Sequence, residues 1–248
     1  MIKLFVNIVF SASILMLSAT TVNADWKLNI ESGLAFSGYN DVRIPGNSGT
    51  KLSLSEDLQT KETEYLRVRY TVKLGERHYL SALYAPLQFT SSGVVNKDVL
   101  FNGVQFDSGS NLNSLYRFDS YRISYQYSLF QNNKTSGKIG FTGKIRDAAI
   151  RIENGTNISE KANTGFVPLI YFAFAWQWSE KAGLLIEGDA LAAPQGRAED
   201  VLLATYRNIS DNFQLRLGYR ILEGGADNDE VYTFALVNYL SMGLTLKL

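Results

Sequence analysis

The chain has 248 residues, and its 24 basic and 24 acidic side chains leave no formal net charge. That balance argues against a nucleic-acid partner, which usually binds a basic domain. The lack of cysteine excludes disulfides, thiol nucleophiles and thiolate metal sites, and one histidine leaves little material for histidine-dependent catalysis.

The first predicted element is a signal peptide over residues 1–24, "MIKLFVNIVFSASILMLSATTVNA". Lys3 supplies the positive start, residues 4–17 form the apolar core, and small residues precede cleavage after Ala24. This core is short for a membrane helix. The remaining domain, residues 25–248, is expected in a bacterial envelope, because the absence of cysteine in an exported protein argues against a disulfide-stapled secreted domain.

Ten runs with a two-residue hydrophobic period follow. They cover residues 26–38, 65–74, 78–89, 121–129, 138–152, 166–178, 183–193, 198–207, 213–221 and 231–248. In "YLRVRYTVKL" an apolar row alternates with Arg67, Arg69 and Lys73. Each run is long enough to cross a bilayer as a tilted strand of about nine residues. The third and fifth runs alternate imperfectly, so eight or twelve strands are alternatives.

The alternation fits either a soluble sandwich or a membrane barrel, with opposite faces inside. Short turns after the even-numbered runs and two long connections, residues 40–62 and 90–115, favour a barrel. The last residues, "SMGLTLKL", resemble the terminal signal read by the outer-membrane insertion machinery, carried here by Gly243, Leu246 and Leu248. We therefore predict an all-β fold, a closed antiparallel transmembrane β-barrel of about ten strands, in the outer membrane with both termini periplasmic.

The same alternation predicts the charged side chains that line the lumen. The predicted set is Arg67, Arg69, Lys73, Arg122, Lys144, Arg146, Glu187, Asp189, Glu199, Arg207, Arg216 and Arg220. Bases outnumber acids in this set. Two interpretations stay open: an electrostatic plug that ties the strands together, and a narrow constriction that passes small anions.

Catalytic and metal sites are not predicted. Enzymatic barrels that rely on a histidine base would need His78, which lies beside the turn "GERHY" at the short-turn rim. The acidic loop with Asp227, Asp229 and Glu230 is a weak candidate for a divalent cation, but it lacks a defined ligand spacing. We expect no enzyme activity, no metal and no cofactor.

Three blocks, "YNDVRIPGNSGT", "ALAAPQGRAEDV" and "LEGGADNDEVY", resemble a family of uncharacterised outer-membrane β-barrel proteins of Gram-negative bacteria. The resemblance covers most of residues 25–248. It implies the fold and the location and brings no activity or site residues.

The predicted function is that of an integral outer-membrane barrel that acts as a non-enzymatic scaffold or surface-binding protein, or as a narrow pore that prefers anions. The alternative is a barrel-borne enzyme acting on lipid or a surface polymer. Expected partners are outer-membrane lipid, lipopolysaccharide and the insertion machinery, with a small anion or surface ligand as further candidates and no nucleic acid.

Overall fold

The computed structural model describes residues 25–193 and 196–247, which form fifteen β-strands and no helix. The strands are β1 Trp26–Arg43, β2 Leu52–Ser53, β3 Gln59–Thr60, β4 Thr63–Lys73, β5 His78–Ala85, β6 Gln88–Val95, β7 Val99–Phe101, β8 Val104–Phe106, β9 Ser110–Gln131, β10 Thr135–Glu153, β11 Ile158–Gln177, β12 Ala182–Ala193, β13 Gly196–Asn208, β14 Phe213–Asp227 and β15 Tyr232–Lys247. No helix in this part of the chain could cross a membrane. The predicted signal peptide and Leu248 lie outside the described residues.

The long strands close into an antiparallel barrel. β15 pairs with β1 from Lys27↔Lys247 to Arg43↔Tyr232, and every other wall strand pairs with its neighbours along the chain. β5 and β6 share one wall position because both pair with β9. The wall therefore has ten strand positions, which confirms the prediction of a closed barrel of about ten strands.

Apolar side chains cover the outside of the barrel. Phe141 is 68% exposed, and Leu217 and Met242 are nearly as open. The inward face carries buried arginines, serines and threonines instead. This layout reverses that of a soluble sandwich and is the one that lipid requires.

Several strand boundaries differ from the prediction: β1 ends at Arg43 and not at residue 38, β11 begins at Ile158 and not at residue 166, and β14 ends at Asp227 and not at residue 221. The run at 78–89 is split between β5 and β6, and residues 88–95 and 110–120 belong to wall strands and not to a loop. The N-terminal half of β9 was missed because "SNLNSLYRFD" shows no lipid-facing apolar row. The strands thus extend well beyond the apolar band at one end.

We call the rim with Trp26 and Lys247 the termini rim and the opposite one the loop rim. At the loop rim, residues 44–62 and 96–109 fold back into the lumen and pack as an apolar cap against the wall. The cap consists of Ile44, Leu52, Leu54, Leu58, Val99, Phe101 and Phe106, packed on Val42, Phe89, Leu112, Tyr116 and Ile152. The amide of Thr50 donates to the Leu100 carbonyl at 2.9 Å and joins the two segments.

Candidate functional site

A belt of charged side chains crosses the middle of the lumen. We call the following residues the charged belt: Glu31, Arg67, Arg69, Arg122, Glu187, Asp189, Asp200, Arg216 and Arg220. None of them is more than 9% exposed. Buried charges at this density are tolerated only when they are paired and hydrogen-bonded.

Asp200 on β13 is the centre of the charged belt. Its carboxylate accepts hydrogen bonds from Arg67 on β4, at 2.9 Å, and from Arg122 on β9 and Arg220 on β14. One carboxylate therefore links four strands across the lumen. Such charge-assisted bonds are the strong kind, and here no bulk water competes with them.

The outer arms of the charged belt are also paired. Arg220 binds Glu31 through two bonds of 2.8 Å, and Arg122 donates to Asp189 at 2.7 Å. Together these pairs connect strands on different sides of the lumen. Two larger chambers lie on either side of the charged belt.

The termini-side chamber is polar and has a volume of about 320 Å³. Lys27, Lys138, Arg69 and Arg216 line it, against a single carboxylate, Glu187. Nε of Arg216 and Nη1 of Arg69 are buried without a hydrogen-bond partner among the described residues. This chamber is therefore basic, as the excess of bases in the sequence indicated.

The loop-side chamber is mainly apolar and has a volume of about 380 Å³. Its apolar lining includes Leu87, Tyr116, Phe118, Val167, Leu191, Ala198, Leu222 and Val237. Lys144 and Arg146, two residues apart on β10, point into it. A concave apolar site with a few convergent polar groups is the usual form of a small-ligand pocket.

The wall is incomplete beside this chamber. β11 and β12 pair from Gln177↔Gly183 up to Ile170↔Ala190, and no pairing follows beyond that point among the described residues. β11 continues to Ile158 bonded to β10 alone, and β12 continues to Ala193 bonded to β13 alone. The result is a slot between the two strands, with the chamber behind it.

Two predicted lumen residues are corrected by the strand register. Glu199 and Arg207 lie on the outward face of β13, because the inward positions are Asp200, Leu202, Ala204 and Tyr206. The error is one residue of register: "EDVLLATYR" is apolar on both faces, so its alternation does not define which face is inside.

The other predicted lumen residues lie on the inward face. Seven of them belong to the charged belt: Arg67, Arg69, Arg122, Glu187, Asp189, Arg216 and Arg220. Lys144 and Arg146 line the loop-side chamber, and Lys73 pairs with Asp25 at the termini rim. The prediction missed Glu31, although it alternates with the outward Leu28 and Ile30, and Asp200.

The remaining candidates lie outside the lumen. His78 is on the outer face at the termini rim, with Nδ1 2.7 Å from the Tyr125 hydroxyl. Asp227, Asp229 and Glu230 are exposed around the turn at Asn228, and the described residues contain no cluster of His, Asp or Glu that would hold a metal. Of the predicted insertion signal, Gly243 and Leu246 lie in β15.

The sequence matches no family profile and no curated protein. Among solved structures, the outer-membrane protease OmpT from Escherichia coli is similar with a TM-score of 0.58 and 8% identity, over 92% of this chain and 99% of OmpT. The translocator domain of the autotransporter NalP from Neisseria meningitidis has a TM-score of 0.44 and 10% identity, over 96% and 93%. The attachment invasion locus protein Ail of Yersinia pestis, solved with the heparin analogue sucrose octasulfate, has 0.37 and 12%, over 90% and 99%. The likeness to OmpT shows that this chain has the fold of an outer-membrane β-barrel.

Proposed function

We propose that this chain is a closed outer-membrane barrel that works as a surface-binding protein and not as a pore. The observation that carries the proposal is the charged belt, which separates the two chambers with side chains that are almost fully buried. The loop-side chamber is then the binding site, and the apolar cap holds its shape.

A conducting lumen is disfavoured on physical grounds. An ion that crosses the belt has to displace Arg122 or Arg220 from carboxylates that they contact directly. Breaking one such buried pair costs about 3–5 kcal/mol. The belt thus favours the plug over the anion constriction.

Catalysis is also disfavoured. His78 lies on the outer face at the termini rim, away from both chambers. OmpT is a protease, but at 8% identity its likeness extends to the fold alone. We therefore propose a non-enzymatic role.

The loop rim is proposed to face the cell exterior. The start of β1 and the end of β15 pair at the termini rim, and the long segments 44–62 and 96–109 lie at the loop rim. Barrels of this class place short turns on the periplasmic side and long loops outside. The loop-side chamber would then be accessible from the cell surface.

Planar-bilayer recording of the purified barrel tests the proposal. The wild-type protein is expected to show no stepwise conductance, whereas an Arg122→Ala/Arg220→Ala variant, with folding checked by heat-modifiable gel migration, is expected to conduct. Arg207→Ala removes an arginine on the outer face and should stay silent. Reproducible unitary currents from the wild-type barrel would overturn the closed-barrel function.

A further inference from the structure

The loop-side chamber has the chemistry of a site for a single-chain amphiphile. We propose that it binds a molecule with one acidic head and one apolar chain, that Lys144 and Arg146 hold the head, and that the molecule enters from the membrane through the slot between β11 and β12. This inference rests on the proposed function and names the ligand class of the same site.

The head site follows from two cations that lack anionic partners. Lys144 is 2% exposed, and the contact described for its Nζ is the ring of Phe118, whose centroid is 4.6 Å away. No carboxylate of the described residues lies within ion-pair distance of that nitrogen. Arg146 donates to the Asn163 side chain, but its Nε is buried and unpartnered.

The contrast with the charged belt makes this arrangement informative. Arg122 lies cross-strand from Lys144, yet Arg122 and Arg220 each contact two carboxylates. A buried ammonium without a counter-ion is costly, and an anion bound beside it would remove that cost. Lys144 and Arg146 lie on consecutive inward positions of β10, so both can reach one carboxylate, phosphate or sulfate group.

Most of the remaining lining suits an apolar chain, and its two other charged residues, Arg197 and Glu223, pair with each other. Leu191, Leu222 and Val237 face the chamber opposite β10. The volume of about 380 Å³ is within the range of small-ligand sites. An inorganic anion would leave this apolar surface wet, and an uncharged hydrocarbon would leave Lys144 unpaired.

The slot provides the route from the membrane. Phe166, Val167 and Pro168 on β11 form one edge of the chamber, and Leu191 and Ala193 on β12 form the other. Strand edges with unpaired backbone groups are avoided at membrane depth unless they line a cavity, and this edge does line one. Pro168 has no amide hydrogen, and proline within a sheet is confined to strand edges.

The depth of the slot matches the loop-rim end of the apolar band. A tilted strand crosses the hydrocarbon in about nine to eleven residues. Counted from Trp176 at the termini rim, that span ends near Phe166, which is 66% exposed on the outer face. Lipid chains therefore reach the membrane end of the slot, at residues 166–169 of β11.

Fluorescence quenching tests the ligand class. The native tryptophans are replaced by phenylalanine; they are Trp26, Trp176 and Trp178, all at the termini rim. A reporter is then placed in the loop-side chamber by Leu222→Trp, and a control reporter in the termini-side chamber by Ala173→Trp. In phosphatidylcholine nanodiscs, a bromine-labelled fatty acid is expected to quench Leu222→Trp far more than Ala173→Trp, and the matching bromo-alcohol is expected to bind more weakly.

Charge and route are separated by further variants. Lys144→Met should raise the half-quenching concentration of the acid by about tenfold, since a hydrogen bond to a charged group is worth about that factor. Lys138→Met, in the other chamber, should not change it. A Val167→Tyr/Leu191→Tyr pair fills the slot from both edges and should slow quenching several-fold when the acid is preloaded in the bilayer.

Each result decides a separate claim. Equal quenching by acid and alcohol, or no effect of Lys144→Met, would overturn the anionic amphiphile. An unchanged rate in the tyrosine pair would overturn the slot and assign entry to the loop rim. The proposed function is tested separately, by conductance in planar bilayers. If the quenching experiments contradict the amphiphile and the wild-type barrel does not conduct, the proposal of a closed surface-binding barrel still stands.

Discussion

Replacing Asp200 with asparagine is expected to destabilise the barrel more than any other single charge neutralisation on β13. Asp200 is 2% exposed and is shared by Arg67, Arg122 and Arg220. The asparagine side chain keeps the volume but removes the negative charge that these three guanidinium groups share. The charged belt then has an excess of buried positive charge.

The size of the effect follows from what each arginine retains. Arg122 still contacts Asp189, and Arg220 still contacts Glu31. Arg67 loses the one ion pair that the structure describes for it. The loss is therefore close to that of one broken buried pair, about 3–5 kcal/mol, and not three times that amount.

Urea titration of the barrel in lipid vesicles, followed by tryptophan fluorescence, measures this difference. Glu199→Gln is the matched control, because Glu199 is the adjacent residue, lies on the outer face and forms no ion pair among the described residues. Its effect should stay within about 0.5 kcal/mol, as for ordinary surface changes. A cost below about 1 kcal/mol for Asp200→Asn, or a larger cost for Glu199→Gln, would refute the assignment of faces on β13.

Three other predictions concern the cap and the wall. Leu54→Ala should make residues 44–62 more sensitive to protease while the barrel stays folded, because Leu54 is fully buried in the cap and such truncations cost about 2–5 kcal/mol. Burial raises the pKa of the Asp57 carboxyl, but hydrogen bonds from Lys97 and a backbone amide outweigh this and lower it below its usual value. The Asp57 carboxylate therefore stabilises the docked loop fully above the pKa that it has in the unfolded chain, and this stabilisation is lost as the pH falls through the lowered pKa of the folded protein. Pepsin cleavage of this loop in the wild type should therefore rise as the pH falls through that range. Cleavage of the Asp57→Asn variant should not change over the same range. Gly140→Ala should prevent refolding or lower the urea midpoint, since a Cβ there would lie 1.9 Å from a backbone oxygen, whereas Gly75→Ala, with its nearest atom at 3.8 Å, should not.

The barrel was predictable because lipid imposes a two-residue period on every strand that it contacts. Where that period is clear, as around Arg67 and Arg122, the inward face follows directly from the sequence. In β13 the alternation does not identify the inward face, because Leu202 and Ala204 are apolar although they face the lumen. Beyond the membrane no lipid imposes this period. The loop-rim half of β9 therefore lacks it, and its sequence predicts a loop.

The chambers were not predictable for a different reason. Whether Lys144 has an ion-pair partner depends on which carboxylates lie near it in the barrel. The candidate carboxylates belong to strands that are far from Lys144 in the sequence. Asp200 is 56 positions along the chain, yet it binds Arg122, which is cross-strand from Lys144. A list of lumen charges therefore gives the excess of bases but not which base is left without a partner. One local signal was available: Pro168 within "FVPLIYF" indicates a strand edge.

The position of the charged belt explains how the wall can remain open at the slot. A closed barrel normally needs hydrogen bonds between all neighbouring strands, because an unpaired edge in lipid is costly. Here the last residue pair between β11 and β12 is Ile170↔Ala190. The neighbouring residue Asp189 forms an ion pair with Arg122 of β9 across the lumen. Cross-lumen ion pairs thus fix β12 at the point where its pairing with β11 ends. The strand segments above that point do not have to close the barrel, and they are free to form the two edges of a lateral opening onto the loop-side chamber.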